Sequence, residues 1–100
     1  MASMFAVLYK FKIKSGMELQ FEKSWEQMTF EFRDVHGGLG SCLHKDDAGH
    51  YLAYARWPHR EMWAADKKII NTAAMSAMRD CIEESFPSTP LTIINDLLEK

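Results

Sequence analysis

Residues 4–14 alternate between two faces. Phe5, Val7, Tyr9, Phe11 and Ile13 fall on one; Ala6, Leu8, Lys10, Lys12 and Lys14 fall on the other. A period of two, rich in aromatic and β-branched residues, predicts a strand. The three lysines bring its second face to water at the far end. From residue 17 the period changes. Met17, Phe21, Trp25, Met28 and Phe32 recur every three or four positions, and most of the charged residues lie off that stripe. This predicts an amphipathic helix. Ser15 and Glu18 have the spacing of a capping box at its start. Gly37-Gly38 should stop it near Arg33-Asp34.

Leu39–Lys45 and His50–Trp57 predict a hairpin across the turn residues Asp46-Asp47-Ala48-Gly49. On its second strand Tyr51, Ala53, Ala55 and Trp57 share a face, opposite His50, Leu52, Tyr54 and Arg56. The two alanines leave a gap beside the aromatics, to be filled by a helix or by a ligand. Pro58 suits the first position of a short helix over 59–66. Residues 67–85 predict a longer helix with Ile70, Ala73, Ala74, Ala77, Met78, Cys81 and Ile82 on one side. Pro87-Ser88-Thr89-Pro90 closes it. Leu91–Leu98 reads as a last strand, apolar on both faces and hence covered on both. The order is βαββαβ, an α+β ferredoxin-like fold with a four-stranded antiparallel sheet. No linker or repeat divides it, so one domain spanning 1–100 is expected.

Composition narrows the function classes. With 47% hydrophobic and 26% charged residues the chain is neither disordered nor low-complexity. Twelve basic against fourteen acidic residues give a net charge of −2, which argues against a nucleic-acid partner. Two cysteines, Cys42 and Cys81, are too few for a disulfide framework and form no Cys-x-x-Cys. The N-terminus does not have the form of a signal peptide, and the apolar runs fall far below the roughly 18 residues of a membrane span. A cytoplasmic protein without a membrane partner is expected. His36, His44, His50 and His59 show no ligand spacing, so no metal site is expected. No glycine-rich phosphate loop or nucleophile elbow occurs, which leaves nucleotide binding and hydrolase chemistry without support.

Four segments then acquire a combined meaning. Glu18-Leu19-Gln20-Phe21-Glu22 follows a strand and a Lys-Ser-Gly turn. Gly37 to His44 comes next, then Tyr54-Ala55-Arg56-Trp57-Pro58 and Arg60-Glu61-Met62-Trp63. This succession resembles the antibiotic biosynthesis monooxygenase family over residues 4–66, and over the remainder by topology. The resemblance implies a homodimeric α+β barrel in which two sheets meet face to face. It also implies a pocket between sheet and helices in each subunit. Some members of the family oxidise polycyclic phenols with O₂ and no metal or flavin, so no cofactor is expected. An electron-rich phenolic or quinol substrate supplies the electrons, and the protein supplies an apolar slot, a proton acceptor and a donor to hold the anion.

By position, the resemblance puts Trp57, Trp63 and His44 at the pocket, with His44 as the catalytic residue, acting as base or hydrogen-bond partner. Tyr51, Phe21, Trp25 and Met28 would complete a substrate-binding slot. The position of a carboxamide implicated in oxygen chemistry holds Ala53. That departure keeps open a second function, a non-catalytic dimeric domain that binds small molecules or answers stress. Haem-degrading relatives share a tryptophan at Trp63. Their ligating histidine is replaced by Ala73, which cannot bind iron, and their first-strand asparagine by Tyr9.

Overall fold

A computed structural model describes residues 5–98. The elements are β1 (Phe5–Ile13), α1 (Glu18–Asp34), β2 (Gly40–Lys45), β3 (Tyr51–Trp57), α2 (Arg60–Ala64), α3 (Thr72–Cys81), β4 (Ile82–Ser85) and β5 (Thr89–Thr92). Met4, at the expected start of the first strand, and residues 1–3 and 99–100, at the ends of the expected domain, lie outside the described residues.

All strand pairs are antiparallel, in the order β2-β3-β1-β4, with β5 also on β1. β3 pairs along Phe5–Phe11, while β5 pairs with Phe5–Leu8 and β4 with Phe11–Ile13. The two short strands therefore share the other edge of β1 and fill the place of the expected fourth strand. The fold is α+β and ferredoxin-like, as the pattern of the sequence predicts.

The C-terminal third departs from expectation. The chain leaves the helix at Ile82, where the backbone turns extended. Glu83 and Glu84 suit a helix, but pairing with β1 prevails over local propensity, and Lys12 meets Glu83 at 3.0 Å. Residues 67–71 are not helical. Asn71 caps α3 by accepting the Ala74 N–H at 3.0 Å. Strand structure ends at Thr92, leaving Ile94, Leu97 and Leu98 exposed rather than covered. Two helix starts also shift. Ser15 does not cap α1, which begins at Glu18; Glu18 instead accepts the Gly16 N–H at 3.0 Å. Pro58 precedes the cap residue His59 of α2 rather than entering the helix.

Register decides what each face does. Phe5, Val7, Tyr9 and Phe11 stand opposite Trp57, Ala55, Ala53 and Tyr51, all on the face toward α1 and α3. Under one end lie Ile13, Phe21, Tyr51 and Cys81; under the other lie Phe5, Val7 and Trp57. Phe21 is fully buried, a burial that contributes about 1.5–3 kcal/mol. Between the two clusters the alanines keep sheet and helix apart.

Candidate functional site

That separation is a cavity of about 340 Å³, within the usual range of small-molecule sites, about 300–1,000 Å³. Its floor is the sheet: Tyr9 and Phe11 of β1, Ala53, Ala55 and Trp57 of β3, Gly40 and Ser41 of β2. Trp25, Met28, Thr29 and Phe32 of α1 form one wall; Trp63 of α2, Lys67 and the α3 methionines Met75 and Met78 form the other. The sequence explains the shape. Alternation on β3 puts Ala53 and Ala55 between Tyr51 and Trp57, so two methyl groups occupy the middle of the face and large rings occupy its ends.

The sharp end of α1 keeps the rim close. Gly37 takes φ +85°, and a Cβ there would lie 2.6 Å from the Met62 Sδ. Gly38 donates to the Phe32 carbonyl at 2.8 Å and sits against the Trp57 ring. A side chain at position 37 would be strained by the positive φ and would displace the Met62 side chain, and one at position 38 would meet the Phe32 carbonyl at 3.1 Å and the Trp57 ring at 3.4 Å.

The polar groups are few. Trp63 donates its indole N–H to the Tyr9 hydroxyl at 2.9 Å. That hydroxyl accepts the indole N–H and still carries a proton of its own to donate. Burial raises the Tyr9 pKa, so the phenol stays neutral and is a hydrogen-bond donor. Thr29, also on the wall, spends its hydroxyl proton on the Trp25 carbonyl at 2.8 Å. Lys67 donates to the carbonyls of Trp63 and Ala65, both at 2.7 Å, with its ammonium 4.8 Å from the centroid of the Trp57 ring. Burial lowers its pKa.

A buried carboxylate secures the loop that carries Lys67. Glu31 of α1 accepts the backbone N–H groups of Ile70 at 2.9 Å and Asn71 at 2.7 Å. His36 donates to the same carboxylate from Nε2 at 2.8 Å. These bonds hold the Glu31 carboxyl below the usual carboxylate range, the two backbone donors acting most strongly.

The seven residues expected at the site separate into three groups. Trp25, Met28, Trp57 and Trp63 come together around the cavity. Phe21 and Tyr51 lie in the adjoining core, ring to ring at 5.0 Å, below the slot rather than in it. The Tyr51 hydroxyl donates to Glu22, and burial first, then that carboxylate, push its pKa up to about 12. His44 is not at the cavity. It stands opposite Leu52 on the face of the sheet turned away from the helices, exposed, with Nδ1 3.1 Å from the Leu52 carbonyl. The physical reason is parity: Ser41 and Leu43 pair with Ala55 and Ala53 on the inner face, so the pleat sends His44 outward.

The sequence reading missed Lys67, Glu31 and the donor role of Tyr9. Parity with Phe5 and Phe11 already placed Tyr9 on the inner face. Lys67 and Glu31 gave no comparable signal, because one fell in an expected helix and the other is a single charge beside an apolar stripe. Among the described residues, no three His, Cys, Asp or Glu side chains gather as a metal site requires.

Known structures share this architecture. A Bordetella bronchiseptica protein ascribed to the antibiotic biosynthesis monooxygenases superposes with a TM-score of 0.79 at 16% identity, over 94% of this chain and 100% of that one. SnoaB, a cofactor-independent oxygenase from Streptomyces nogalater, gives 0.74 at 16% identity, over 98% and 100%. Rv0793 from Mycobacterium tuberculosis gives 0.74 at 13% identity, over 96% and 100%. The chain has the antibiotic biosynthesis monooxygenase fold. No protein-family model matches the sequence, and no curated protein sequence does. The helices cover one face of the sheet; on the other, Ala6 is fully buried and Arg56 meets Asp96 of the C-terminal segment at 3.1 Å, Phe86 packs on Lys10 and His50, and Leu8, Leu52 and Tyr54 lie half-buried. Among the described residues no helix is long and apolar enough to cross a membrane.

Proposed function

We propose that this protein is a cofactor-independent oxygenase that binds a phenolic or quinol-type aromatic molecule between sheet and helices and oxidises it with O₂. The observation that carries the proposal is the cavity itself: 340 Å³ walled by Trp25, Phe32, Trp57 and Trp63, with a neutral phenol donor at its floor. Support from likeness comes from SnoaB, named as a cofactor-independent oxygenase. The substrate's deprotonated ring passes one electron to O₂. The resulting radical and superoxide join as a peroxide at a ring carbon. At a methylene carbon, loss of water leaves a carbonyl, so CH₂ and O₂ become C=O and H₂O. In this reading Trp25, Trp57, Trp63 and Met28 sandwich the ring, and Tyr9 donates to the oxygen that gains charge. Tyr9 stands directly across from Ala53, so its O–H supplies a donor at the place where oxidising relatives carry a carboxamide. The proposal gives His44, Phe21 and Tyr51 no contact with substrate.

The test is O₂ uptake with a panel of quinols and anthrones. Turnover that falls at least tenfold in Tyr9→Phe supports the reading; no uptake with any substrate defeats it. Ala53 favours a second reading, a binding domain without oxygen chemistry. In that case ligands raise Tm and no product forms.

We infer further that two copies pair through the face of the sheet turned away from the helices. Leu8, Leu52 and Tyr54 lie half-buried on it, and the exposed Ile94, Leu97 and Leu98 follow β5 at its margin. A cytoplasmic location is inferred from the two free thiols, Cys42 exposed and Cys81 buried.

A further inference from the structure

The cavity wall contains no carboxylate and no histidine among the described residues, whereas three cationic residues border it: Arg33, Arg56 and Lys67. Two of these are engaged elsewhere. Arg33 holds Asp34 at 3.0 Å and lies over the Phe30 ring. Arg56 pairs with Ala6 on the outer face of the sheet and meets Asp96 at 3.1 Å. Lys67 is the cation left to the slot. Two of its three N–H donors are satisfied by the carbonyls of Trp63 and Ala65, and the ammonium lies over the Trp57 ring. That leaves one donor on a partly dehydrated positive charge, at the edge of an apolar aromatic space. The carboxylate acting on it is Asp66, its exposed neighbour in the chain. Tyr9 faces the same space with a neutral O–H.

An apolar slot with an ammonium at its rim and no negative charge in its walls discriminates by ligand charge. We propose that Lys67 is the specificity-determining residue of this site and that the cavity selects aromatic molecules bearing an anionic oxygen, an aryl carboxylate or a phenolate. This inference rests on the cavity being the ligand site. It also bears on how a phenolic substrate is bound as its anion: the described walls hold no side-chain base of the usual histidine or carboxylate kind, so the phenol gives its proton to bulk water, and the Lys67 ammonium binds the resulting phenolate.

The test uses 2-naphthoate and its neutral isostere 2-naphthamide, with binding followed by tryptophan fluorescence and calorimetry. In the wild-type protein 2-naphthoate is expected to bind about tenfold tighter, as a charge-assisted hydrogen bond implies. Lys67→Gln should abolish that preference while leaving 2-naphthamide affinity within about twofold, and Lys67→Arg should keep it. Unchanged binding of the amide shows that the variant's slot is intact. A third probe, 2-naphthol, separates the two sources of the anion: its bound pKa falls by about one unit or more if a phenolate is stabilised. If it does not fall while 2-naphthoate is still preferred, the ligand class is the carboxylate, and the phenolate half is overturned. Equal binding of acid and amide by the wild type, or a preference that persists in Lys67→Gln, overturns the inference and leaves the cavity a ligand site. Binding of none of the three defeats the cavity reading as well.

Discussion

The indole N–H of Trp63 points at the hydroxyl of Tyr9 across 2.9 Å, joining the five-residue helix α2 to the central strand β1. A helix this short has little stability of its own. Its place is fixed instead by this bond and by the packing of Trp63 on Phe5, with ring centroids 5.5 Å apart. Tyr9→Phe removes the acceptor and leaves a half-buried N–H unpaired, a loss of about 1–3 kcal/mol. In a chain of this length each 1 kcal/mol lowers Tm by roughly 4–8 °C. A double-mutant cycle with Trp63→Phe should return a coupling of about 0.5–1.5 kcal/mol. Additive effects within error would mean that the two residues act separately.

The Glu31 carboxylate makes acid stability a test of the loop over 65–71. Its folded pKa lies below the unfolded value, so its contribution is complete above the unfolded carboxylate pKa, about 4.3. The contribution is lost as pH falls through the lower folded value. Glu31→Gln removes the titrating group. The Tm difference between wild type and variant should therefore be largest near neutrality and shrink below about pH 4. Amide exchange at Ile70 and Asn71 should quicken in the variant at neutral pH. A Tm difference independent of pH would assign the Glu31 effect to packing.

How much of this was legible in the sequence depended on the kind of signal. Period-two alternation on β1 and β3 fixed register parity, and parity alone put Trp57, Ala53, Ala55 and Tyr51 on one face. The stripe Phe21–Trp25–Met28–Phe32 similarly defined the buried side of α1. His44 was misplaced because a positional likeness outweighed the parity of β2, which faces it outward with Leu52. The β4–β5 edge was hidden for a different reason. Glu83 and Glu84 have helical propensity, and only pairing to β1, some seventy residues away, makes them a strand. Lys67 was invisible because its role depends on a loop whose course is set by Glu31, thirty-six residues earlier.

Filling the gap between the aromatics should separate fold from site. Ala55 lines the cavity opposite Val7. Ala55→Leu places three further carbons in existing space, so stability should change by no more than about 1–3 kcal/mol, the usual range for an enlarged core residue. Ligand occupancy should suffer far more. Where 2-naphthoate at a hundred times its Kd stabilises the wild type by about 2.7 kcal/mol, the variant should show little shift in Tm. An undiminished shift would place the ligand elsewhere on the protein.

The face of the sheet turned away from the helices predicts the assembly. Helices cover the side that carries Tyr51, Ala53 and Trp57, while Leu8, Leu52 and Tyr54 on the other side stay half-buried beside the Arg56–Asp96 pair. An isologous pair would bring two such faces together, each Tyr54 meeting the same surface of the other copy. Sedimentation equilibrium should then return twice the 11.6 kDa chain mass, with Tm rising as protein concentration rises. Tyr54→Glu places a charge in the contact and should shift the mass to that of one chain. Its Tm should no longer depend on concentration, because dissociation no longer accompanies unfolding. A wild-type mass of one chain at all concentrations would remove the pairing, and the exposed Ile94, Leu97 and Leu98 would then need another partner.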